Sequence, residues 1–177
     1  MKALVVYESL FGNTAAISET IAGSLRTHGI DAVARPVTQR SPGTVGDIDL
    51  LIVGGPTHVH GMSRASTRKT GATDEKNTYA EPTVEPGLRE WFEGLPAGDG
   101  RAAAAFDTRI GKPVWVTGSA AKGIAKRLER GGFRLTAKPE SFLVTTSNTL
   151  EEGEAEHAAT WAAGLAGRLV GSEADGR

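Results

Sequence analysis

The chain contains no cysteine, which excludes disulfides, thiolate metal sites, iron–sulfur clusters and thiol nucleophiles together. Any redox chemistry must then come from an organic cofactor. An excess of one charge is also lacking. The 20 basic residues face 21 acidic ones, a net charge of −1, so no global field favours nucleic acid or an anionic membrane. No apolar run approaches the roughly 18 residues of a membrane span, and no charged-then-apolar leader precedes the first strand. A cytoplasmic location is expected. At 177 residues the chain is one domain's worth, with a single domain over 1–170 and a fraying tail over 171–177.

Strand-like runs occupy Lys2 to Tyr7, Asp31 to Pro36, Asp49 to Val53, Ala102 to Phe106 and Arg134 to Val144, the last interrupted by Pro139. Helical spacing alternates with them. Ile17, Ile21 and Leu25 share one face ahead of His28 and Gly29, and Val84, Leu88, Trp91 and Leu95 share another. A third helix runs from Ser119 as N-cap through Ile124 and Leu128 to Gly131, and a fourth carries Ala158, Trp161, Leu165 and Leu169. Such alternation predicts βαβ units with right-handed crossovers, hence an α/β fold with a parallel sheet covered on both faces. Ligands in such folds bind beyond the C-terminal ends of the strands. Three loops meet there: Tyr7 to Thr14, Gly54 to Ser63, and Asp107 to Pro113. The polar stretch 64–83 has no periodicity and reads as a long loop insertion.

The first loop, Ser9-Leu10-Phe11-Gly12-Asn13-Thr14, places hydroxyls and a glycine where a helix begins, and a helix N-terminus presents unpaired N–H groups to an anion. It has neither the lysine of a P-loop nor the three glycines of a dinucleotide fingerprint, so one phosphate monoester suits it better than a polyphosphate. A plain strand-to-helix turn with Thr14 near the cap is the other reading. In the second loop His58 and His60 stand two apart with no third ligand beside them, so no metal is expected. No set of serine, histidine and acid in a nucleophile elbow appears, and no catalytic residue is assigned. A phosphorylation receiver would need carboxylates after the third strand, where Gly54, Gly55 and Pro56 stand instead.

Together, the SLFGNT loop, the GGPTHVHGMS loop and the alternation of five strands resemble the flavodoxin family over the whole chain. The resemblance implies a three-layer α/β/α fold with a five-stranded parallel sheet in the order 2-1-3-4-5. It also implies FMN as cofactor. Ser9, Leu10, Phe11, Gly12, Asn13 and Thr14 would hold its phosphate. Pro56, Thr57, His58, Val59, His60 and Gly61 would form one ring loop, and Asp107, Thr108, Arg109, Gly111 and Lys112 the other. The sequence departs from that pattern in three ways. Phe11 replaces a hydroxyl residue, neither ring loop contains Trp or Tyr, and the chain is nearly neutral where the small carriers are acidic. Trp115 is expected to pack in the core. Arg109 is expected either to lie along the pyrimidine edge of the flavin, raising its potential, or to pair with Asp107. Arg64, Arg68, Lys69, Lys112, Lys122, Lys126, Arg127 and Arg130 either rim the crevice or form a solvated helix face. Glu151, Glu152, Glu154 and Glu156 complement a helix N-terminus.

The implied function is an FMN-binding electron carrier whose partner is a redox protein or a small electron acceptor, with no nucleic acid and no membrane involved. Two alternatives stand beside it: a flavodoxin-fold binding or regulatory module with weak or no FMN binding, and an NAD(P)H-dependent quinone reductase.

Overall fold

The computed structural model describes residues 1–58, 60–75 and 77–174. Its strands are β1 (Lys2–Tyr7), β2 (Asp31–Pro36), β3 (Leu50–His58), β4 (Gly61–Met62), β5 (Ala102–Ile110), β6 (Arg134–Leu135) and β7 (Glu140–Val144). Its helices are α1 (Asn13–Thr27), α2 (Ala65–Ala72), α3 (Leu88–Glu93), α4 (Val114–Thr117), α5 (Ala120–Arg130) and α6 (Glu154–Ala174). The parallel order is β2-β1-β3-β5, with β6 and β7 following one another along the far side of β5. These two short strands together are the expected fifth strand, divided around Pro139. The short β4 turns back antiparallel on the end of β3.

Continuous apolar strands demand cover on both faces, and they receive it. Ala3 and Val5 of β1 point to the layer of α1 and α6, where Ile17, Ile21, Leu25, Ala162 and Leu165 pack. Leu4 and Val6 point to the opposite layer, against Leu88 and Trp91 of α3 and Ile124 and Leu128 of α5. Ser119 caps α5 as expected, its hydroxyl accepting from the Lys122 N–H.

Several boundaries differ from the sequence reading. β3 continues through Gly54, Gly55 and Pro56, pairing with Phe106, Asp107 and Thr108. A side chain at Gly54 would overlap the Phe106 ring, so the glycine keeps the strand going where local propensity argues for a turn. α3 begins at Leu88 rather than Val84, which is exposed. Trp115 is not a core residue: it is 84 % exposed on the single turn of α4. Around Ser41 to Asp47 only a 3-10 turn forms, at Pro42–Thr44. α6 reaches Ala174, and residues 175–177 of the expected tail lie outside the described residues.

The polar stretch contains α2, and a buried charge holds it. Arg68 is fully buried, donating from Nε to the Val84 carbonyl (2.7 Å) and from Nη2 to Glu90 (2.8 Å). Its Nη1 reaches Ser63 Oγ at 3.3 Å and lies 3.9 Å from Glu8. Burying a guanidinium is costly unless its donors are matched, and these partners match them. Glu8, at the end of β1, accepts from Ser63 Oγ and from the Leu88 N–H. Burial pushes its carboxyl above the usual range, against those two hydrogen bonds and the Arg68 charge. Among the described residues no helix is long and apolar enough to cross a membrane.

Candidate functional site

The C-terminal ends of β1, β3 and β5 bring the three loops together around a cavity of 260 Å³. Leu10, Phe11, Asn13 and Thr14 line it from the first loop, Pro56, Thr57 and His58 from the second, and Thr108 and Arg109 from the third.

Gly12 sits at φ +87° immediately before α1, the left-handed region glycine tolerates best, and this turns the chain into the helix. Ser9 is buried beneath it. Its Oγ accepts from the N–H groups of Gly12 (3.2 Å) and Ala15 (3.3 Å), so the hydroxyl organises the loop from inside. Thr14 Oγ1 is likewise engaged, 2.8 Å from Thr108 Oγ1. The N–H groups of Phe11, Asn13 and Thr14 donate to no acceptor among the described residues. No acid stands in the first turn of α1. Unpaired first-turn donors, the positive end of the helix and a cavity beside them form an anion cradle.

Asp107 is fully buried and acts as a pin rather than a wall. Its Oδ2 accepts from Thr57 Oγ1 (2.9 Å), Ser119 Oγ (2.8 Å) and the Ala121 N–H (2.9 Å), tying the ends of β3 and β5 to the start of α5. Arg109 makes no ion pair with it. Instead Arg109 Nη1 donates to the Lys112 carbonyl at 2.6 Å, while Nε is buried at the cavity wall without a partner. Burial lowers the His58 pKa, so its ring is held neutral. His60 is exposed at φ +69° and bridges to Gly118. Gly61 pairs back onto His58 in β4, and Gly111 and Lys112 are exposed beyond the cavity. Val59 lies outside the described residues. No group of three potential metal ligands occurs among the described residues.

Four residues at the site escaped the sequence reading. Ile110 extends the third loop's wall, and Val144 and Asn148 close the far side from β7 and the turn after it. The Asn148 carbonyl accepts from Asn13 Nδ2 at 2.8 Å, and its φ of +59° is the conformation asparagine favours in turns. The fourth is Tyr79, the one ring in the polar stretch: a Cβ on Gly12 would lie 3.0 Å from its Cδ2. Asn77 holds this segment down, donating to the carbonyls of Leu10 and Gly71 and accepting from the Tyr79 N–H.

No family model and no curated protein sequence matches this chain. Solved structures do. A flavodoxin from Streptococcus pneumoniae superposes with a TM-score of 0.68 at 18 % identity, covering 95 % of this chain and 99 % of that one. Flavodoxin 1 of Bacillus cereus gives 0.67 at 17 % identity over 93 % and 97 %. Rubredoxin oxygen:oxidoreductase of Desulfovibrio gigas gives 0.62 at 19 % identity, with 96 % of this chain covering 36 % of that larger protein.

Proposed function

We propose that this chain, which has the flavodoxin-like fold, binds FMN non-covalently in the crevice and carries electrons between redox partners. The observation that carries the reading is the set of unpartnered N–H groups at Phe11, Asn13 and Thr14 beside the cavity. Those donors would hold the phosphate, while Pro56, Thr57 and His58 would flank one side of the ring system and Thr108 and Arg109 the other. Bound FMN supplies the electron chemistry, and the protein supplies binding, orientation and charge.

Arg109 has a definite task in that arrangement. Its guanidinium is anchored through Nη1, and the unpartnered Nε offers a buried donor and a positive charge to negative charge developing on a reduced ring. His58, kept neutral by burial, contributes a flat apolar face and no charge. At 260 Å³ the cavity falls just below the roughly 300–1,000 Å³ of typical ligand pockets, so part of the ring system would stand at the surface within reach of a partner.

The decisive experiment is a visible absorption spectrum after adding FMN and desalting. Flavin bands retained by the protein support the reading. Loss of all flavin at micromolar concentrations favours the second reading, a binding module without flavin. That reading draws on the Ser9 and Thr14 hydroxyls being committed to internal bonds and on Tyr79 covering Gly12. Steady-state assays with a nicotinamide donor and a quinone separate a carrier from a reductase, which would turn over faster than free FMN.

A further inference from the structure

A second cavity, of 420 Å³, lies in the groove between α3 and α5 on the sheet face opposite α1 and α6. Arg89, Arg127 and Arg130 converge on it, with Phe92 and Leu95 as an apolar wall and Glu93 as the only acid. None of the three arginines comes within 4.0 Å of a carboxylate among the described residues. Arg89 is held by the carbonyls of Ser63 (2.8 Å) and Met62 (2.9 Å), which fixes its position and leaves Nη1 unpartnered. Arg127 makes only long contacts, 3.5 Å to the Gly123 carbonyl and 3.7 Å to Met62 Sδ. The Arg130 side chain makes no hydrogen bond among the described residues. Burial, followed by the neighbouring charges of Arg89 and Arg130, lowers the Arg127 pKa.

Three guanidinium groups brought together with Glu93 as the only acid in the groove leave repulsion that a bound anion relieves. Set against Glu93 they leave two positive charges, the complement of a phosphate monoester near neutral pH. The site is concave and half apolar rather than a flat basic face, which favours a small molecule over a macromolecular surface.

We propose that the groove between α3 and α5 binds the phosphate of a small phosphorylated molecule, with the molecule's apolar portion against Phe92 and Leu95. Arg89 also lines a smaller groove that reaches His58, whereas Arg127, Arg130 and Gly131 lie at the end of α5 far from the crevice. A redox role for that occupant would rest on the FMN reading, whereas the phosphate site does not.

The test is titration of phenyl phosphate into the purified protein with and without saturating FMN, followed by calorimetry. We expect binding in the millimolar range or tighter, persisting with FMN present, and at least about tenfold stronger than that of benzoate, because the dianion engages more guanidinium donors. Arg127→Gln combined with Arg130→Gln should weaken it at least about tenfold while FMN affinity is unchanged. Absence of binding, equal binding of benzoate, or equal affinity in the double variant overturns the proposal. So does binding that FMN abolishes, which would place the phosphate at residues 9–14. Should the double variant fail to fold, Arg130→Gln alone replaces an exposed side chain and should still lower affinity by about threefold, and an unchanged affinity there counts against the site.

Discussion

The two polar segments that meet at the crevice, residues 9–14 and 64–87, are held in opposite ways. The first is organised locally, by a positive-φ glycine and by one serine hydroxyl accepting from two N–H groups within six positions. The second depends on one buried guanidinium whose partners are Glu8 just after β1, Ser63 just before α2, the Val84 carbonyl and Glu90 of α3. They join where the Ser9 N–H donates to Thr83 Oγ1 at 3.1 Å and the Thr83 N–H donates to the Ser9 carbonyl at 2.7 Å. Local turn chemistry can be recognised in six residues, whereas a buried ionic hub is recognisable only when the whole chain has folded.

Breaking the hub should have the largest effect. Arg68→Met leaves Glu8 and Glu90 without their cation and the Val84 carbonyl without a donor, and should cost about 3–5 kcal/mol in chemical denaturation. A loss under about 1 kcal/mol would mean that the segment is held elsewhere. On the local side, Gly12→Ala forces a Cβ into the left-handed region and against Tyr79, costing about 1–2 kcal/mol.

The hub also makes stability depend on pH. Because burial raises the Glu8 pKa in the folded state, the native protein binds a proton more readily than the unfolded chain does. Its contribution is therefore full below the ordinary value of 4.5 and is lost as pH rises through the raised value. Glu8→Gln should remove that decline, whose slope for one proton cannot exceed about 1.4 kcal/mol per pH unit. Identical pH profiles for the two proteins would refute the assignment. Ser9→Ala should cost about 1 kcal/mol by orphaning the Gly12 and Ala15 N–H groups, and on the proposed function it should also raise the FMN dissociation constant. Trp115→Ala should change the unfolding free energy by less than about 0.5 kcal/mol in chemical denaturation, since its ring supports no core.

Much of the fold was legible because its determinants are periodic. β1, β2 and the helical stripes of α1, α5 and α6 follow from apolar spacing alone. The first loop was legible through its turn chemistry. What was not legible depends on partners distant in sequence. Gly54 and Gly55 read as the start of a loop, yet Phe106 and Leu88 occupy the space their side chains would need, and the strand continues. α2 has weak helical patterning and rests on Arg68, a residue that reads as surface charge until its burial is seen. Trp115 was misplaced because size and hydrophobicity argue for the core, while the one-turn helix that carries it has no buried residue. Arg109 faces the site without pairing to Asp107, its guanidinium drawn instead to the Lys112 carbonyl, a partner that spacing to the nearest acid does not reveal.

The exposed indole has an optical consequence. Of the three tryptophans, Trp91 is sealed at 2 % exposure and Trp161 is half-buried against the rings of Phe106 and Phe142, whereas Trp115 stands in water three residues beyond Lys112. Iodide should therefore quench Trp115 most, the half-buried Trp161 less and Trp91 least. The most red-shifted part of the fluorescence then reports chiefly on the turn that follows the third loop, by light and without attaching a dye.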